Sequence, residues 1–314
     1  MRHTADLRAA WIKFKASRWR RIVEVAIVAL ALVWMARALA LNLAQINTSD
    51  LRFDVASLLV ALLITWITVW IGTLAWAIII RALHPQVPVA QSIQQHLLSL
   101  PTKYLPGFGW QQISKALQLH RGGVPLGQTA VAVFVELGLV VLTGLATVAH
   151  ILILRQATLG VAFLPQLQLS MLAVLWAACS VAPISLSGLV DRTAAQATNK
   201  LRSIVYLYVA EVLLAIGWLT FGLSLWFICR TFISLPLDAL PECLFALIIS
   251  FLVSLAIIFV PNGVGVRELM MSSLLQSVTP VPVSIVSAVM SRVILVLAEF
   301  AAALPFVVKA VRRR

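Results

Sequence analysis

The sequence predicts an all-α integral membrane protein with about 6–8 transmembrane helices and two broken-helix, re-entrant hairpins. Three observations carry that prediction. The 314 residues are 61% hydrophobic and 11% charged, against about 25% charged in soluble domains, and the mean hydropathy is +1.00. Several apolar runs approach or exceed the ~20 residues that cross a bilayer core. Two helix-breaking clusters, Pro106-Gly107 and Pro261-Asn262-Gly263-Val264-Gly265, interrupt this apolar pattern. Non-helical backbone at membrane depth persists only where it is buried in protein or lines a polar cavity. The breaks are therefore the first places to look for a site.

The net charge of +13 does not point to nucleic acid, because of where the charge sits. Arg2, Arg8, Lys13, Lys15, Arg18, Arg20 and Arg21 precede the first apolar run, and Lys309, Arg312, Arg313 and Arg314 follow the last. Basic flanks of this kind predict a cytoplasmic-membrane protein with both termini cytoplasmic. Residues 1–21 form a basic segment with Trp11, Ile12, Phe14 and Trp19 among its cations, the pattern of an interfacial helix on anionic lipid; a plain topology signal explains it equally well. Residues 22–308 form a single membrane domain and 309–314 a basic tail. The first apolar run is too long for a cleaved signal peptide.

The predicted spans follow in order. The first covers about Ile22 to Leu41 and the second about Val55 to Ile80, ending at Arg81, His84 and Pro85. Val87 to Gly123 is amphipathic and interrupted, and reads as two short helices broken at Pro106-Gly107 that enter from the cytoplasmic side. The third span runs from about Leu126 to Leu154 and the fourth from about Leu167 to Leu189. The loop with Arg192, Lys200 and Arg202 suits the cytoplasm, and the fifth span is about Ile204 to Ile228. Leu244 to Val260 is a short apolar helix that runs into the second break. A further short helix covers about Val266 to Val278, this helix and the one before it either crossing the bilayer or re-entering it, and the last span covers about Val283 to Val308.

Pro106 and Pro261 lie 155 residues apart, about half the chain. Residues 55–154 and 204–308 each read as a span, two broken short helices and a charged span. With the first hairpin entering from the cytoplasm and the second from outside, the halves predict an inverted repeat. Transporters of that architecture place their site between the repeats near the midplane.

Glu136, Glu211, Arg292 and Glu299 lie inside predicted spans. An ionisable group there costs about 2.5–3.5 kcal/mol on insertion scales, so each should face a partner or water. Arg292 and Glu299 share a helix face about 10 Å apart, too far for direct pairing, and Glu136 is the expected partner of Arg292. An ion pair that only fixes packing is the plainer alternative to a role in transport. Gly263-Val264-Gly265 at the start of a helix offers backbone N–H groups and a positive dipole end. Arg267 adds a fork of donors suited to phosphate oxygens, and Lys103, Lys115 and Arg121 bring positive charge from the other hairpin. Glu268 falls in the first helical turn, where a carboxylate compensates the dipole or pairs with Arg267.

Cys179, Cys229 and Cys243 have no metal spacing. Cys229 and Cys243 flank a predicted outside loop and can pair in an oxidising compartment, although small apolar residues near helix ends is the simpler reading. The five histidines show no ligand pairing at helical spacing. No catalytic constellation appears, and neither a metal nor a cofactor is expected.

Tyr104-Leu105-Pro106-Gly107 with Trp110, Lys115 and Gly122-Gly123 resembles the first signature of the lysylphosphatidylglycerol synthase transmembrane region, or flippase-like domain, family. Pro261-Asn262-Gly263-Val264-Gly265-Val266-Arg267-Glu268 is similar to its second signature, Pro-x-Gly-x-Gly-x-Arg-Glu, and Glu136 falls where the family places an acidic residue. The likeness covers nearly the whole chain. Lys115 departs from the family's more frequent arginine, which keeps the charge and loses bidentate geometry. No soluble aminoacyl-transferase domain follows Arg314, so the resemblance implies lipid translocation without lipid synthesis. The cargo it implies is a phospholipid or a polyprenyl-phosphate-linked glycan.

Together these readings predict a membrane lipid translocase without enzymatic activity. Its substrate site would comprise Lys103, Tyr104, Pro106, Gly107, Lys115, Pro261, Gly263, Gly265 and Arg267. Glu136, Glu268, Arg292 and Glu299 would line or gate the path. The expected partners are anionic membrane lipids, with an envelope lipid or glycan biosynthesis enzyme as a further one. The first rival is a non-transporting scaffold for such an enzyme. The second, an intramembrane enzyme acting on a lipid phosphate, lacks a visible base or metal site.

Overall fold

A computed structural model of the chain describes residues 53–104, 109–159, 181, 185, 200–257, 263 and 265–311. The basic amino-terminal segment, the first predicted span, nearly all of the fourth, and Pro106, Gly107 and Pro261 lie outside the described residues. Among the described residues the secondary structure is helical throughout, with no strand. Five of the helices are long and apolar enough to cross a membrane. The protein is a multi-pass, all-α membrane protein.

Helix α1 spans Val55–Leu83. Asp54 starts it as an N-cap, accepting from the Ala56 backbone N–H at 3.0 Å and from the Ser57 hydroxyl at 2.6 Å. These bonds satisfy a donor that has no acceptor within the helix. Helix α2, Val89–Ser99, continues into a 3-10 turn at Leu100–Tyr104. Helix α3, Trp110–Arg121, returns alongside it, with Gln95 Nε2 donating to the Gln118 carbonyl at 3.3 Å. The Gln91 side chain lies against Gly122 at the end of α3, which puts the start of α2 beside that end, so the first broken pair is an antiparallel hairpin. Helix α4, Leu126–Leu159, extends beyond the Leu154 end predicted for the third span.

Helix α5, Lys200–Arg230, runs antiparallel to α1 along its full length. Asp54 N–H donates to Thr231 O at 2.9 Å at one end, and Ser203 Oγ donates to Ala82 O at 3.0 Å at the other. Between them the Thr65 and Ser224 hydroxyls meet at 2.6 Å and those of Thr68 and Thr220 at 2.8 Å. Lipid tails are as apolar as leucine, so apolar burial alone does not drive helices together in a bilayer. Small hydroxyl residues associate them by close packing and interhelical hydrogen bonds.

Helix α6, Leu240–Ala256, and helix α7, Val266–Leu275, form the second hairpin and pack on each other. At ~1.5 Å per residue α7 rises only about half a hydrocarbon core. Helix α8, Val281–Val311, closes the described chain and carries Pro305 within it. The largest apolar cluster lies where α4 and α5 meet the second hairpin, around Trp218, Leu225, Leu247, Ile248, Met271 and Leu275. The Trp218 indole N–H donates to Thr143 Oγ1 at 3.2 Å, and its ring meets Phe251 edge-on at 5.1 Å. This packing holds the tip of the second hairpin against α5 and so sets one wall of the site.

Candidate functional site: a cationic cavity between the broken helices

The two hairpins contribute to one polar cavity of about 240 Å³. Lys103 lines it from the 3-10 turn, and Gly109, Trp110, Gln111 and Gln112 from the start of α3. Gly263 and Arg267 line it from the second hairpin, Glu299 from α8, and Phe221, Phe251 and Ser254 complete the wall.

Gly263 and Gly265 have positive φ, 63° and 86°, backbone that L side chains adopt only with strain. Gly263 is doubly constrained, because a Cβ there would collide with the Ser254 side chain. The sequence therefore makes its sharp reversal where only glycine fits, and α7 begins beside the cavity. Glu268 folds back onto this turn and accepts from the Gly265 N–H at 2.6 Å. The same carboxylate lies 3.4 Å from Arg292 Nε on α8.

These contacts correct two expectations. Arg292 pairs with Glu268, not with Glu136, because α8 packs against α7 and turns the guanidinium toward it. The Gly265 N–H is also not free for a ligand, because Glu268 has taken it. Helix α3 makes the contrasting start: its N-cap Gly109, at φ 79°, gives no side-chain cap. The first-turn N–H groups of α3 have no helical acceptor, and this end, with its positive dipole, faces the cavity.

Lys103 pairs with Glu299 Oε1, while the Tyr104 hydroxyl donates to Oε2 at 2.7 Å. Tyr104 stacks on Phe300 with ring centroids 5.9 Å apart, which fixes the direction of its hydroxyl. Glu299 thus meets groups from another element, as its depth in the span requires.

Arg267 differs from the other buried ions. It is 6% exposed and sits 5.4 Å from the ring centroids of both Phe221 and Phe251. Among the described residues no carboxylate lies within 4.0 Å of its guanidinium, and no hydrogen-bond acceptor engages it. In the surrounding cluster, the cations Lys103, Arg267 and Arg292 outnumber the carboxylates Glu268 and Glu299. One positive charge is left over, at the cavity wall. Desolvated cations are costly without a partner, so the cavity favours an anion whose oxygens accept from a planar donor fork.

Lys115 lies elsewhere. It is 3% exposed and donates to both Glu136 oxygens, at 2.6 and 2.7 Å, away from the cavity wall. The geometry therefore brings together Lys103, Gly263, Arg267 and Glu299 of the expected site residues, seats Tyr104, Gly265, Glu268 and Arg292 just behind them, and separates Lys115 and Glu136. Pro106, Gly107 and Pro261 are outside the described residues. Sequence reasoning missed Gln111, Gln112, Phe221, Phe251 and Ser254. The adjacent glutamines after a break were a usable signal, whereas a phenylalanine in an apolar span carries none.

Cys229 and Cys243 are buried and form no disulfide in this structure. Among the described residues no group of three or more His, Cys, Asp or Glu is placed to hold a metal ion.

The family described as Lysylphosphatidylglycerol synthase TM region matches residues 21–303. The chain belongs to that family. No functionally curated protein matches it. As a lysylphosphatidylglycerol synthase TM region, the chain is a membrane protein related to lipid handling. The match takes in both hairpins and all but the end of α8, so the cavity lies wholly within the family's domain.

Proposed function

We propose that this lysylphosphatidylglycerol synthase TM region is a lipid translocase that moves an anionic, phosphate-bearing lipid between leaflets and performs no covalent chemistry. The observation that carries the reading is Arg267, a buried guanidinium on a shared polar cavity with aromatic rings beside it and, among the described residues, no carboxylate against it. A phosphate oxygen supplies what that group lacks, and Gln111 and Gln112 at the start of α3 line the same cavity from the opposite hairpin. At about 240 Å³, the cavity falls below the ~300–1,000 Å³ of pockets that enclose drug-sized ligands. It suits a headgroup, with the acyl chains left in the bilayer.

In this reading α1–α4 and α5–α8 are inverted repeats. Each runs as span, broken pair and span, and the antiparallel course of α1 and α5 supports the inversion. Opposed hairpins would then open the cavity alternately to the two leaflets by rocking of one repeat against the other. Arg81, Arg121 and Arg202 cluster at one end of the bundle, which suits the cytoplasmic face of an inner membrane. An envelope lipid or glycan biosynthesis enzyme is the natural partner for such an activity.

Reconstitution into liposomes with fluorescent phosphatidylglycerol tests the proposal. Leaflet exchange should exceed that of protein-free vesicles and fall by at least about tenfold in Arg267→Ala, equivalent to ~1.4 kcal/mol. Wild-type exchange equal to protein-free vesicles, together with co-purification of a glycosyltransferase, would replace transport with a scaffolding role.

A further inference from the structure

A second buried polar cluster lies behind the cavity, built from both arms of the first hairpin and the helices that flank it. Lys115 on α3 grips the Glu136 carboxylate on α4 through both oxygens. Its ammonium stands 4.6 Å over the Trp76 ring of α1. His96 on α2 completes the group. It is 6% exposed, and its ring centroid lies 6.4 Å from that of Trp76.

The imidazole is poorly accommodated as it stands. Its Nδ1 lies 3.8 Å from Glu136 Oε1, beyond hydrogen-bond reach, and is buried with no hydrogen-bond partner. With that nitrogen unprotonated, a lone pair faces a carboxylate, two acceptors with nothing between them. A proton on Nδ1 turns this contact into a charge-assisted N–H···O bond, which closes to ~2.7–2.9 Å. With the ring's own proton kept on Nε2, the fold therefore holds a place for one more proton.

The surrounding charges tie that place to the cavity. His96 faces Lys115 on α3, Glu136 on α4 and Lys103 on the 3-10 turn, with Glu299 on α8 pairing Lys103; α1 contributes the uncharged Trp76 ring. Burial opposes a charged imidazole most, the two ammonium groups oppose it further, and the Glu136 carboxylate favours it. An anion entering beside Lys103 and Arg267 offsets that opposition. Anion and proton then favour each other's binding, by the same factor in both directions.

We propose that His96 and Glu136 form a proton-binding site coupled to anion loading of the cavity, with one proton taken up as one anion binds. The coupling rests on the anion reading given above; the proton site stands on its own geometry. Nothing is oxidised or reduced: the proton comes from solvent, settles on His96 Nδ1 and returns to solvent when the anion leaves.

Two measurements on the full chain in detergent separate these parts. Without added lipid, tryptophan fluorescence is titrated downward from about pH 8 to about pH 4, below the ordinary histidine range, because burial and the two ammonium groups oppose the charged imidazole. An imidazolium beside Trp76 quenches it, so wild type should show a one-proton step absent from Trp76→Phe and from His96→Gln. Dihexanoyl phosphatidylglycerol is then added with a pH indicator dye. Wild type should take up one proton per lipid bound, with affinity rising up to about tenfold per pH unit on acidification, and His96→Gln should bind with a flat pH profile. A wild-type titration no different from Trp76→Phe overturns the proton site, whatever the lipid does; this comparison decides the matter even if His96→Gln fails to fold. Lipid binding without proton uptake overturns the coupling. A one-proton step with no lipid binding at any pH supports the proton site and overturns the anion reading of the cavity.

Discussion

Lys103 and Glu299, 196 residues apart in sequence, form a buried ion pair that ties the first hairpin to the last helix. Both side chains are withdrawn from solvent, and Tyr104 holds the second carboxylate oxygen. The pair both locks the tip of a broken helix and supplies part of the polar wall of the cavity.

Removing one member should be worse than removing both. Glu299→Gln leaves a buried ammonium without its counter-ion, an arrangement that costs about 3–5 kcal/mol. Lys103→Met combined with Glu299→Leu should recover a large part of that loss. Thermal unfolding of wild type, Lys103→Met, Glu299→Leu and the double variant in detergent gives the coupling directly; strictly additive losses would remove the pair from any structural role.

Gly263→Ala should destabilise the protein by about 1–3 kcal/mol, through strained backbone and the collision with Ser254. Trimming the obstruction with Ser254→Gly should restore only part of it, because φ stays positive. Gly72→Ala, in the interior of α1 with open space at its Cβ, should stabilise by about 0.5–1 kcal/mol. Equal effects at the two glycines in a melting experiment would contradict the assigned turn.

Glu268 has two tasks that substitution can separate. Glu268→Gln keeps an oxygen for the Gly265 N–H and loses the charge facing Arg292, whereas Glu268→Ala loses both. The alanine variant should be the less stable by about 0.5–2 kcal/mol, the usual value of a helix-start acceptor. Hydrogen exchange at the start of α7 reports this locally: faster exchange in Ala than in Gln is the expected order.

The guanidinium of Arg267 should not be replaceable by another cation. Arg267→Lys keeps the charge and loses the planar fork and the contact with Phe221 and Phe251. Exchange of labelled phosphatidylglycerol should therefore fall nearly as far in Arg267→Lys as in Arg267→Ala. Full activity in the lysine variant would mean that bulk positive charge suffices at the cavity.

The sequence by itself determined the class of the protein, the places where its helices break and the identity of its buried ions. Hydropathy, proline and glycine act locally: an apolar run must lie in the bilayer, and a cluster of proline and glycines interrupts a helix wherever it falls. Only the tertiary structure decided the partnerships. Helix α1 is apolar on nearly every side, yet Thr65 and Trp76 are buried while Leu63 and Trp66 are exposed. No periodicity in such a helix records which face its neighbours will take. For the same reason Arg292 found Glu268 instead of Glu136, and Lys115 left the cavity for Glu136. Helix rotation and pairing are set by packing among many elements, so among the described residues Arg267 stands out as the cavity cation without a carboxylate only after Lys103 and Arg292 have found theirs.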